Sequence, residues 1–140
     1  PKQHNLVKQI FGIFTALTAA GLIVVMAQMI REGLYPWPPS MDLSNKIKVA
    51  EWMSKLPKSA FYIIAISHSI ASFSAGLISS LVAGSHRIKT GIIAICILLV
   101  IIVMYLFNYH FPLWFKVTDI ISVCVLGSAG ITIGSARYVR

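Results

Sequence analysis

The chain has 140 residues, of which 57% are hydrophobic and only 11% charged, and its mean hydropathy is +0.81. This composition excludes an ordinary soluble domain, because the apolar excess must face lipid. A net charge of +8 would suggest nucleic acid in a soluble protein. Here the basic residues lie in loops and at helix ends, where anionic lipid headgroups account for them, and no RNA-binding signature accompanies them. We therefore expect the lipid bilayer as a partner and no nucleic acid.

Four apolar stretches are each long enough to cross a bilayer, which takes about 20 residues of helix. They cover residues 10–30, 60–83, 90–108 and 113–134. Lipid offers no partner for backbone N–H and C=O groups, so such continuous runs form helices rather than strands. The sequence predicts an all-α fold, a single four-helix transmembrane domain over residues 1–140.

The loop between the first two spans, residues 31–59, is the only connection with room for further structure. Asp42 is a suitable cap for a short amphipathic helix over residues 43–56. We expect this helix to lie flat on the membrane or over the mouth of the bundle, or to pack on neighbouring loops. Aromatic residues that suit the headgroup layer are predicted as interface anchors; they are Tyr35, Trp37, Trp52 and Trp114.

With four spans, both termini lie on one side of the membrane, together with the connection between the second and third spans. The twelve basic residues divide equally between the two sides, so their count alone gives no orientation. The basic turn His86-Arg87-Ile88-Lys89 lies directly between two spans. On this ground we expect both termini to be cytoplasmic.

Small residues recur every fourth position along the second predicted helix, and the pattern repeats on the fourth and the first. Such rows let membrane helices approach closely, which drives their association in lipid. They predict packing within the chain, or alternatively a face for another subunit. The predicted packing residues are Ser72, Gly76, Ser80, Gly84, Ala71, Ala75, Gly130 and Gly134, with Gly12, Ala16 and Ala20 on the first helix.

Ionisable residues inside spans are costly and therefore mark candidate functional sites. His68 and Asp119 lie on helices that enter from the long-loop side, roughly 12 and 9 Å deep at 1.5 Å per residue. Gln28, Glu32 and Asn108 fall in the same half of the bilayer. A histidine beside a carboxylate could relay protons or hold a polar ligand, or it could simply lock the bundle through a hydrogen bond.

The sequence gives little support for a bound haem, zinc ion or nucleotide. Haem ligation through His68 would need a second histidine at matching depth, and His110 lies in a turn. No Cys and His cluster has zinc spacing, and Gly-rich phosphate loops are missing. We expect neither a metal nor another cofactor.

Short motifs along most of the chain resemble a family of small, uncharacterised bacterial four-helix membrane proteins. The resemblance implies a bacterial inner membrane and assigns no activity. Where the family pattern has Pro-His-Pro, this chain has Tyr109-His110-Phe111-Pro112. The matching segments are Leu34-Tyr35-Pro36-Trp37-Pro38, Leu56-Pro57-Lys58-Ser59-Ala60, Ala75-Gly76 and Phe111-Pro112-Leu113-Trp114-Phe115.

Two functions remain open at this point, ahead of a membrane enzyme or haem protein as a third. The first is a non-catalytic accessory or scaffolding subunit that binds other membrane proteins, or its own copies, through the small-residue faces. The second is a small proton-coupled transporter or ion-conducting protein that uses the polar residues of the long-loop half, as an oligomer.

Overall fold

A computed structural model describes residues 2–136, which form five helices. In chain order they are α1 (Lys2–Leu34), α2 (Lys46–Lys55), α3 (Lys58–Val82), α4 (Arg87–Asn108) and α5 (Leu113–Gly134). All but α2 are long and apolar enough to cross a membrane. The predicted all-α fold with four membrane helices is thus confirmed. Arg137 and Arg140, which entered the basic-residue count, lie outside the described residues.

Helix α1 is longer than the apolar run 10–30 on which its prediction rested. Its 33 residues extend about 50 Å, whereas the hydrocarbon core is about 30 Å thick. Gln9 Nε2 donates to the carbonyl of Ser85 at 3.3 Å, so the turns before Gln9 project past the α3–α4 connection. The helix extends over residues 2–9 because this stretch includes neither proline nor glycine to end it.

Helix α3 is the centre of the bundle and packs against α1, α4 and α5. Because α4 runs back across the bundle, α3 and α5 run in the same direction and face each other as a parallel pair. Ser72 Oγ donates to the Val123 carbonyl at 2.6 Å, which sets an offset of 51 positions between facing residues. The same offset pairs Gly76 with Gly127, one turn further along.

The α3–α5 interface depends on glycine, since the two backbones approach too closely for larger side chains. A Cβ on Gly76 would collide with the carbonyl oxygen of Gly127, and one on Gly130 with that of Phe73. On the other side of α3, a Cβ on Gly12 of α1 would lie 3.1 Å from the Ser79 carbonyl oxygen. The small-residue rows are therefore used in packing within one chain.

The remaining residues of these rows divide between the seam and the turn. Ala71, Ala75, Ser72 and Ser80 are fully buried, and a Cβ on Gly134 would collide with Ser80 Oγ. Gly84, which the fourfold spacing placed in the same row, lies beyond the end of α3. Its φ of +75° suits the turn into α4, and a Cβ there would meet Lys8 of α1 at 3.2 Å.

The short helix of the first loop covers the mouth of the bundle, the end at which the long loop lies. It begins at Lys46, capped by Asn45 Oδ1 accepting from the Lys48 amide at 3.2 Å, and not at the predicted cap Asp42. Val49 and Met53 are buried against the bundle core, whereas Ile47 is 73% exposed. The face with Val49 and Met53 therefore docks on the bundle, and the face with Ile47 points away from it.

Asp42 has a different role, in the turn that precedes the helix. Its Oδ1 accepts hydrogen bonds from the hydroxyl and the amide of Ser44, at 2.6 and 3.0 Å. These bonds stabilise the ionised carboxylate and lower the pKa of Asp42. The turn therefore fixes the chain ahead of α2 without contributing to the helix.

Candidate functional site: a buried histidine–carboxylate pair

His68 of α3 and Asp119 of α5 form a buried pair in the long-loop half of the bundle. His68 Nδ1 lies 2.5 Å from Asp119 Oδ2, and the two residues are 1% and 0% exposed. Their separation is again 51 positions, so the pair lies one turn before Ser72 and Val123 in the same row. The packing of α3 on α5 is what brings these two side chains together.

The pair is buried, which matters because both side chains are ionisable. Because both side chains are buried, an ionised group there depends on its partner for the stabilisation that solvent gives elsewhere. Asp119 Oδ1 is buried and has no hydrogen-bond partner in the structure. The hydrogen-bonding capacity of the carboxylate is thus only half used.

Beside the pair, a short hydrogen-bonded chain begins at Tyr105 and leads towards the mouth. The Tyr105 ring packs edge-on against the His68 ring, with centroids 5.9 Å apart. Tyr105 OH donates to Gln28 Oε1 at 3.1 Å, and Gln28 Nε2 reaches Glu32 Oε1 at 3.5 Å. Glu32 is half exposed, so this chain connects the region of the pair with solvent at one end of the bundle.

Arg31 is the other charged residue of this region and is only 2% exposed. Its guanidinium lies 5.5 Å from the centroid of the Trp37 ring, and Nη2 lies 3.7 Å from Glu32 Oε1. Nε and Nη1 are buried without a hydrogen-bond partner. A positive charge is thus held under an aromatic cover at the mouth, because Trp37 also stacks on Trp52 at 4.1 Å.

Only some of the predicted polar residues take part in this network. Gln28 and Glu32 join the network, whereas Asn108 is exposed at the end of α4 and contributes nothing to it. Arg31 and Tyr105 were not among the predicted site residues. A signal existed for Tyr105, which lies on the buried side of α4, three positions after Ile102 and seven after Leu98. Arg31 carried none, because a basic residue at the end of a span normally reaches out to headgroups.

The predicted interface anchors also differ among themselves. Trp114 is 45% exposed. Tyr35 OH lies 2.6 Å from Ser59 Oγ and so ties the loop to the start of α3. Trp37 and Trp52 pack on each other and on the core, so they hold α2 over the mouth.

A narrow cleft lies between α1 and α4, with His68 at its floor. Its volume is about 250 Å³, and its walls are apolar except for His68 and Tyr105. The bond between Tyr105 and Gln28 lies on the mouth side of the cleft. Val25 and Ile101 line it and are 57% and 55% exposed, so the cleft opens sideways between the two helices towards lipid.

Metal and haem binding can be tested against these positions. Within residues 2–136, no group of three or more His, Cys, Asp and Glu side chains is placed to hold a metal ion. For bis-histidine haem ligation, His68 and His110 would have to face one cavity. His110 is not among the residues that line the cleft of His68, and His68 Nδ1 is engaged by Asp119.

The pair, the network and the cleft are the features from which a function must be argued. Comparison of the chain with protein-family profiles, curated proteins and solved structures finds no match.

Proposed function

We propose that the chain is a small proton-coupled transporter in which His68 and Asp119 bind and release the coupling proton. The observation that carries the proposal is the burial of this pair inside membrane helices at 2.5 Å. An ionisable residue within a span costs several kcal/mol unless it is paired, and such residues commonly mark proton or substrate pathways.

The packing around the pair argues against a purely structural role. Glycine contacts already close the α3–α5 seam, and the Ser72 hydroxyl adds a hydrogen bond across it. A further pair of apolar residues at positions 68 and 119 would complete that seam at lower cost than two ionisable groups. The histidine and carboxylate at these positions are therefore better explained by their proton chemistry.

Access to the pair is one-sided in this conformation. The network through Tyr105, Gln28 and Glu32 reaches solvent at the mouth. Towards the other side, the hydroxyls of Ser79 and Ser80 bond to carbonyls of their own helix, and glycines close the seam. Transport would require α3 and α5 to separate there, or a second copy of the chain to supply the other half of the path. The proposal accordingly includes an oligomer.

The resemblance to small bacterial membrane proteins supports a bacterial inner membrane as the location. The short connection between α3 and α4 contains Arg87 and Lys89 and no acidic residue. Basic residues in short loops favour the cytoplasmic side, which supports cytoplasmic termini.

The proposed role can be tested without knowing the transported solute. Vesicles containing only the purified chain are adsorbed on a supported membrane, and a pH jump is applied. Proton binding at a site inside the bilayer displaces charge and gives a transient current. We expect this current for the natural chain and its loss in His68→Gln and Asp119→Asn.

The matched control is His86→Asn, at an exposed histidine of the opposite connection. His86 has a φ of +49°, which asparagine tolerates, and the variant should keep the current. An equal current in His68→Gln, or none above protein-free vesicles for the natural chain, would refute the proposal.

An accessory subunit is the second candidate, and the outer face of α1 favours it. Phe11, Phe14 and Met29 on this helix are between 61% and 73% exposed. Leu6 and Val7 lie beyond the level of the α3–α4 connection and are more than half exposed. A partner helix would bind here, because the small-residue faces are buried within the chain. Co-purification in mild detergent, with Phe11→Ser and Phe14→Ser as disrupting changes, tests this role.

A further inference from the structure

The cleft between α1 and α4 ends on a titratable side chain, and this combination indicates a ligand. His68 is 1% exposed, and it is among the residues that line the cleft. With Asp119 ionised and the imidazole neutral, Nδ1 carries the hydrogen that Asp119 accepts, and Nε2 is left as an acceptor. A molecule in the cleft that meets this nitrogen therefore offers an O–H donor.

The walls of the cleft determine the size and polarity of the rest of the ligand. They are contributed by apolar residues of α1 and α4, and the Tyr105 ring closes the end nearest the mouth. A cavity of about 250 Å³ is below the usual range for drug-sized ligands, roughly 300–1,000 Å³, and holds about one ring. The lateral opening beside Val25 and Ile101 faces hydrocarbon, so the occupant arrives from the membrane and can leave an alkyl tail there.

We infer that the cleft binds a lipid-soluble phenol, with its ring between α1 and α4 and its hydroxyl on His68 Nε2. The inference rests on the proposed function and names the substrate class of the same site. A phenolic hydroxyl fits both protonation states of the pair, because it donates to neutral imidazole and its oxygen accepts from imidazolium. The phenol binds through a hydrogen bond and no covalent bond to carbon changes.

The glycine at position 21 gives a way to close the cleft without touching the pair. Gly21 lines the cleft, and a Cβ built on it meets nothing within 4 Å. Leucine at this position projects into the space that the ring would occupy. Gly33 on the same helix is equally unobstructed and lies away from the cleft, so Gly33→Leu is the matched control.

The test uses para-nonylphenol and its methyl ether, para-nonylanisole, which lacks the donor. Binding to the chain in nanodiscs is measured by equilibrium dialysis and corrected with protein-free nanodiscs. We expect the phenol to bind the natural chain roughly fivefold more tightly than the ether, as for one hydrogen bond. In His68→Phe the two compounds should bind equally. Gly21→Leu should bind neither compound, and Gly33→Leu should bind both as the natural chain does.

Two results would overturn the inference: equal affinity of the natural chain for phenol and ether, or unchanged phenol binding in Gly21→Leu. The pH-jump current requires no ligand, so it separates the two proposals. A current without phenol selectivity refutes the ligand class alone. Phenol selectivity without a current refutes the proton-coupled transporter and leaves a phenol-binding membrane protein.

Discussion

His68 Nδ1 lies 2.5 Å from Asp119 Oδ2, on two parallel helices whose facing residues are offset by 51 positions. One turn further along, the same offset places the Ser72 hydroxyl on the Val123 carbonyl. The pair is thus part of a continuous interface, which extends towards the mouth through the contact of Phe61 with Phe115, whose ring centroids are 5.2 Å apart. On the side away from the mouth the interface is closed by glycine, so the pair can be changed without removing what holds the two helices together.

A double-mutant cycle on the pair should give strongly non-additive losses of stability. His68→Leu leaves a buried carboxylate without its partner and should lower the free energy of unfolding by about 3–5 kcal/mol. Asp119→Leu leaves an imidazole that can remain neutral, with a smaller loss of about 1–3 kcal/mol. The double variant should return to within about 1 kcal/mol of the natural chain, since two leucines extend the apolar seam. Unfolding in mixed micelles with increasing SDS measures all four; additive losses would show that the two residues are not coupled.

The glycine contacts of the α3–α5 seam predict a large cost for the smallest possible substitution. A Cβ on Gly130 would collide with the Phe73 carbonyl oxygen, so Gly130→Ala must push the helices apart. We expect a loss of roughly 1–3 kcal/mol in the same SDS titration, although alanine is the better helix former. Gly33→Ala is the control, because nothing lies within 4 Å of its added carbon. Equal stability of the two variants would contradict the close packing described.

The docking of α2 predicts opposite effects for two neighbouring residues. Val49 is 2% exposed and packs into the core, whereas Ile47 is 73% exposed. Val49→Asp buries a charge and should release α2 from the mouth, so that a lysine-specific protease cuts between Lys46 and Lys55 at least about tenfold faster. Ile47→Asp should leave the cleavage rate in nanodiscs nearly unchanged. If Ile47→Asp also accelerates cleavage, lipid and not the bundle holds this helix in place.

The four membrane helices were predictable because hydrocarbon imposes a single requirement on every span, an apolar run of sufficient length. The ends of these helices were less predictable. Helix α1 begins among polar residues that an apolar run does not include but that form helix readily. The cap of α2 was misplaced by three residues, since Asp42 and Asn45 are both good caps and tertiary packing selects between them.

For the site, the sequence identified His68 and Asp119 as candidates but not as a contact. The spacing of four from Asp119 through Val123 to Gly127 matches that from His68 through Ser72 to Gly76. The depth of each residue along its own helix does not give the register between two helices. The contact therefore became clear only once α3 and α5 were seen to pack in parallel with this offset. The burial of Arg31 depends on Trp37 folding back over it from a loop, which no local pattern encodes.

Cysteine labelling tests the proposed orientation with changes that leave the charge of every loop intact. In a background with Cys96 and Cys124 replaced by alanine, Ser54→Cys marks the long loop and Ile88→Cys the opposite connection. Both positions are exposed. With cytoplasmic termini, a membrane-impermeant maleimide added to spheroplasts should label Ser54→Cys alone, and both variants after permeabilisation. Labelling of Ile88→Cys in intact spheroplasts, with Ser54→Cys protected, would reverse the orientation. The mouth, with Glu32 and the network that leads to His68, would then face the cytoplasm, and protons would reach the pair from inside the cell.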